Sequence, residues 1–102
     1  MKYNNRKLYG GLIMRAVVTV IGKDMVGILA KVSAECEKAN MNVIEVSQTL
    51  LQDMFAMIML IDITNGNVSL SDFSQHMETK GNELGLKIHV MHEDIFNSMH
   101  KI

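Results

Sequence analysis

The 102-residue sequence has one cysteine, few aromatic residues (5%), no excess of charge of either sign and no long apolar run. A single thiol cannot form an intramolecular disulfide. Small secreted domains generally need a bridge or a metal cluster, so the composition favours a reducing cytoplasm. Ten Lys plus Arg against eleven Asp plus Glu leave a formal charge of −1. That supplies no basic footprint for a phosphate backbone, and nucleic acid is disfavoured as a partner. The longest apolar stretch, Met54 to Ile61, stops at Asp62, far short of the ~18 to 20 residues of a membrane helix. No membrane association is expected. Residues 1–13 carry Lys2, Arg6 and Lys7 among scattered apolar positions and lack the apolar core of an export signal. They read as a flexible extension outside the fold, consistent with an upstream start codon; the alternative is that they pack on the domain.

What the chain does have is a hydrophobic fraction of 48% with 21% charged residues, enough for one domain with a real core. Arg15 to Gly22 is β-branched and apolar on both faces, as a central strand requires, and it ends in Gly22-Lys23-Asp24. From Met25 the period becomes helical. Met25, Ile28, Leu29, Val32, Cys36 and Ala39 form an apolar stripe, with Lys31, Glu35 and Lys38 on the polar side and Asp24 as the expected N-cap. Asn40-Met41-Asn42 ends this helix. The next stretch alternates, Ile44, Val46 and Leu50 against Glu45, Ser47 and Thr49, which predicts an edge strand with one wet face. Gln52-Asp53 reverses the chain into Met54 to Ile63, apolar on both faces and therefore interior.

Thr64-Asn65-Gly66-Asn67 is a turn cluster, and Ser69 with Asp72 resembles a capping box that starts a second helix. Its buried face is Leu70, Phe73, Met77 and Leu84, with Gly85 as a left-handed terminus. Leu86 to His92 is a last strand, and residues 93–102 form either a short helix or a tail. The order strand, helix, strand, strand, helix, strand predicts an α+β, ferredoxin-like βαββαβ sandwich. It would have a four-stranded antiparallel sheet, the first and third strands central, and two helices on one face. The other face carries several apolar residues and needs cover, for which oligomerisation is the expected means.

This fold hosts many activities, so function must be argued from a site. RNA stacking needs aromatics on the central strands, which hold only Phe55. A heavy-metal chaperone needs two thiols in the first loop, whereas Cys36 lies on an apolar helix stripe. A phosphate cradle needs a guanidinium there, and the arginines are Arg6 and Arg15. His89 and His92, three apart on a strand, point to opposite faces, while His76 and His100 read as surface residues. Met54, Met57 and Met59 read as core or interface filling. No nucleophile sits beside a base, so no catalytic residues, metal or cofactor are expected.

The remaining feature is the strand-to-helix junction Gly22-Lys23-Asp24-Met25-Val26-Gly27-Ile28. Unpaired N–H groups and the positive end of the helix dipole at such a turn suit a carboxylate or phosphate. Gly22 would permit an unusual backbone angle, Gly27 a close approach in the first helical turn, and Asp24 an ion pair with an ammonium. Amides for an anion and a carboxylate for a cation suit a free amino acid. Asp24 as a simple cap and Gly27 as a packing glycine are the alternative.

Over Met14 to about His92 these residues resemble the ACT domain family of small ligand-sensing modules. The resemblance lies in the strand ending Gly22-Lys23-Asp24, in Val26-Gly27-Ile28-Leu29 where the family commonly has Pro-Gly-Ile or Pro-Gly-Leu, and in Asn42-Val43-Ile44 opening the second strand. It implies an ACT domain at 14–93, with the extension at 1–13 and a tail or short helix at 94–102. It further implies that Gly22, Lys23, Asp24, Met25, Val26, Gly27 and Asn42 contact a small-molecule ligand, an amino acid or similar metabolite, often across a homodimer interface. Short bacterial ACT proteins and, more loosely, the glycine cleavage system regulator are the similar groups. The expectation is a non-catalytic cytoplasmic regulator acting through a homodimer and a separate protein partner. Its alternative is a pairing module with a vestigial ligand loop.

Overall fold

A computed structural model describes residues 13–23 and 26–99. The elements run β1 (Arg15–Lys23), α1 (Ile28–Lys38), β2 (Asn42–Leu51), β3 (Met54–Asp62), α2 (Leu70–Leu84), β4 (Leu86–His92) and α3 (Glu93–Met99). The strands form one antiparallel sheet in the order β2-β3-β1-β4, so β1 and β3 are interior as their two-sided apolar sequences require. Successive side chains alternate across the sheet. Ala16, Val18 and Val20 join Phe55, Met57, Met59, Ile61, Leu86, Ile88 and Val90 on the face that packs against Ile28, Val32 and Cys36 of α1 and Phe73 and Met77 of α2. This is the ferredoxin-like arrangement.

Local chemistry sets the helix ends. Ser69 Oγ accepts the Asp72 N–H at 3.0 Å, and Gly85 ends α2 with φ 75°. α1 closes on Asn40 at φ 57°, with Met41 N–H donating to Cys36 O and Asn40 N–H to Glu37 O, the two bonds of a Schellman motif. The turn after β3 completes this end, since Asn67 donates to Lys38 O from its side chain and to Ala39 O from its backbone, both at 2.9 Å. The start of α1 corrects the sequence expectation. The helix begins at Ile28 with Gly27 as N-cap, rather than at Met25 with Asp24 as the cap.

β2 also departs from expectation. A bulge falls between Val43 and Glu45, so Ile44 is the extra residue and does not share the face of Val46 and Leu50. β2 is exposed along nearly its whole length, Ile44 at 47% and Leu50 at 56%, in place of one wet face and one buried face. Glu35 is a third correction: it lies on the polar side of α1 by sequence but is buried between the two helices.

The second sheet face is partly covered by the chain itself. α3 folds back across it, with Phe96 and Met99 over Thr19, Ile21, Ile58 and Met91. Its first residue, Glu93, is buried and takes a two-pronged hydrogen bond from the Arg15 guanidinium, Nε at 3.2 Å from Oε1 and Nη2 on Oε2. No helix among the described residues is long and apolar enough to cross a membrane.

Candidate ligand site

Gly22 and Lys23 are the last residues of β1, and Val26 and Gly27 lead directly into α1. Gly22 keeps ordinary strand geometry, which corrects the expectation of an unusual backbone angle; among the described residues the glycines with positive φ are Gly27 and Gly85. What Gly22 provides is clearance, because a Cβ there would stand 2.6 Å from Leu86 Cδ2. Gly27 has φ 82°, a left-handed conformation that L side chains rarely adopt, so the turn needs glycine there for its backbone and not for space. Among the described residues no side chain caps α1, and its first turn holds no acid. The leading N–H groups of a helix have no partner within the helix and favour an anion. Asp24 and Met25 lie outside the described residues.

Asn42 opens β2 and lines a groove of about 510 Å³ between that strand and α1, bounded on the helix by Ala30, Ser33, Ala34 and Glu37. Within one chain Asn42 is remote from the junction. It shares a row of the sheet with Asp62 and Arg15, whereas Gly22 shares one with Phe55 and Leu86. The two rows lie seven residue steps apart along β1, on the order of 20 Å at ~3.3 Å per residue. The fold thus brings Gly22, Lys23, Val26 and Gly27 together at one end of the sheet and leaves Asn42 at the other.

Sequence reasoning missed a polar cluster between α1 and α2. Glu35 Oε1 is 2.7 Å from His76 Nε2, and Oε2 is 3.3 Å from Lys38 Nζ and 3.9 Å from Lys80 Nζ. The His76 hydrogen bond and then Lys38 hold the Glu35 carboxyl below its ordinary value, against the opposing effect of burial. The spacing of Glu35 and Lys38 signals an exposed helical pair; the crossing of α2 buries the Glu35 carboxylate and leaves Lys38 exposed. Cys36 next to it is fully buried, and desolvation first, then the Glu35 charge, pushes its thiol up to about 11. No three potential metal ligands converge among the described residues, and His89 and His92 alternate on β4 to opposite faces.

The βαββαβ order and the glycine-centred turn at the start of α1 define a ferredoxin-like domain with a tight strand-to-helix turn. An ACT domain family model matches residues 14–91, and the chain belongs to the ACT domain family. It is 46% identical over 88 residues to a UPF0237 protein of Methanocaldococcus jannaschii, covering 86% of this chain and 98% of that one. Among solved structures it is similar to an ACT domain protein from Streptococcus pneumoniae, with 31% identity, a TM-score of 0.72, and 82% of this chain and 94% of that chain covered. A candidate glycine cleavage system transcriptional repressor shares the fold at 22% identity and a TM-score of 0.69, over 80% of this chain and 47% of that one.

Proposed function

We propose that the protein is a non-catalytic cytoplasmic regulator that binds a free amino acid at a site completed by a second copy of the chain. The reading rests on one observation: Asn42 and the Gly22–Gly27 turn occupy opposite ends of a sheet in which β2 is one of the two edge strands. Antiparallel pairing of two β2 strands about a twofold axis sets the Asn42 end of one copy beside the Leu51 end of the other. That second end is the one with Lys23, because Leu51 pairs with Met54 and Met54 with Lys23. Exposed Val43, Ile44 and Leu50 on β2, and the small side chains of Ala30, Ser33 and Ala34 on α1, allow a second copy to approach closely.

In this assembly the first-turn amides of α1, entered through Gly27, take the ligand carboxylate. Asp24 takes the ammonium, and Asn42 of the other copy closes the site. Binding alters regulation of a partner protein only through a difference in affinity between assembled and unassembled states. The test is a thermal-shift screen of the full chain against the twenty amino acids, with sedimentation velocity in parallel. The expected result is a dimer and one saturable hit; a ligand at ~100 times its Kd adds ~2.7 kcal/mol, several degrees for a domain of this size. A stable dimer that no amino acid shifts would leave the pairing module as the function.

A further inference from the structure

The sheet face opposite α1 and α2 holds a concavity that the amino-acid site does not use. α3 stands off the sheet by enough to leave a half-open concavity of about 350 Å³, floored by Ile21, Ile58 and Met91 and roofed by Phe96 and Met99. That is the size of a small-ligand pocket, and its walls are apolar apart from the Thr19 hydroxyl and the His89 ring. Ile21 and Ile58 remain 48% and 46% exposed beneath the helix, so the face is covered without being filled.

The charge around this floor has one sign at one edge. Ile21 is flanked on its own face by Lys23, two residues along β1, and by Lys87, its register partner on β4. His89 faces Glu78 at 3.8 Å, whereas neither Lys23 nor Lys87 takes part in an ion pair among the described residues. An apolar floor with the Lys87 ammonium at its edge, in no ion pair among the described residues, complements a molecule with a hydrophobic body and a single carboxylate. A free amino acid of ordinary size is a poor match, since the lining offers its ammonium no acid.

From this juxtaposition we infer that the cavity between α3 and the open sheet face is a second binding site, for a small apolar carboxylate such as a medium-length acyl or aryl acid. The body lies on Ile21 and Ile58 under Phe96, and the carboxylate pairs with Lys87 at the β4 edge. The site is independent of the dimer-completed one, because Asn42 and the Gly27 turn contribute nothing to its walls.

The test is methyl NMR of the full chain titrated with octanoate and, separately, with octanol. Octanoate is expected to shift the Ile21, Ile58, Met91 and Met99 methyl signals saturably. Lys87→Gln is expected to weaken octanoate by about tenfold, a change that leaves octanol unaffected. Ala56→Phe, which fills the floor from the exposed face, is expected to abolish both; Lys87→Gln carries the test if that variant perturbs signals throughout the protein. Absence of a saturable shift overturns the proposal. So does octanol binding as tightly as octanoate, or methyl shifts that follow protein concentration and not octanoate, which would assign the face to a second copy.

Discussion

Asn42 and Gly22 lie in the same sheet at opposite ends, Asn42 in the row of Asp62 and Arg15 and Gly22 in the row of Phe55 and Leu86. A ligand small enough to be an amino acid cannot touch both in one chain. Under the proposed function the two residues meet in one site only across two chains, joined along the exposed β2 edge.

Charging that edge should separate the copies without unfolding either. Leu50 and Ile44 are exposed in the single chain, so Leu50→Lys with Ile44→Lys removes no core contact and sets like charges against each other in the dimer. Sedimentation velocity is expected to show a monomer with a melting temperature within a few degrees of that of unassembled wild type. A variant that remains dimeric would show that the copies join elsewhere.

Gly27→Ala should cost about 1 to 2 kcal/mol, the penalty of placing an L side chain at positive φ, and lower the melting temperature by several degrees. Space does not limit this position, since the nearest atom to a new Cβ is Lys31 Nζ at 3.5 Å. An unchanged melting temperature would show that the turn relaxes away from its left-handed geometry.

The Glu35 cluster predicts an acid-side dependence of stability. The folded-state pKa of Glu35 is lowered, so its contribution is present above the ordinary value of 4.5 and is lost as pH falls through the folded-state value. Glu35→Gln should therefore narrow the loss of melting temperature on acidification below that value and lie under wild type at neutral pH. Parallel melting curves for the two proteins across the acid range would contradict the assignment.

Breaking the tether of α3 should be expensive. Glu93→Ala removes the two-pronged partner of the buried Arg15 guanidinium, and breaking a buried pair typically costs about 3 to 5 kcal/mol, whereas Arg15→Met with Glu93→Leu should recover most of it. Chemical denaturation of the three proteins measures both effects. A single variant as stable as wild type would show that the pair does not anchor the helix.

Much of the fold is legible in the residue order because periodicity and punctuation agree. The two-sided apolar strands became β1 and β3, Ser69 and Gly85 bound α2, and Cys36 is buried where its stripe predicts. What was not legible depends on contacts between elements. The bulge at Ile44 answers the register of β3, the burial of Glu35 comes from α2 crossing above it, and the docking of α3 depends on an arginine 78 residues away. Gly27 is a ligand candidate by its turn and Asn42 by the family resemblance, and their placement at opposite ends of one chain follows from the sheet topology and not from spacing.

The central claim is that one site draws residues from two chains, and subunit mixing tests it directly. Asp24→Ala and Asn42→Ala homodimers should each fail to bind the amino acid that stabilises wild type in the thermal-shift screen. After the two are unfolded together and refolded, random assortment leaves one intact site in each heterodimer, so calorimetry should recover about one quarter of the wild-type sites. A mixture that binds no better than its parents would mean that each site lies within a single chain, and would contradict the account.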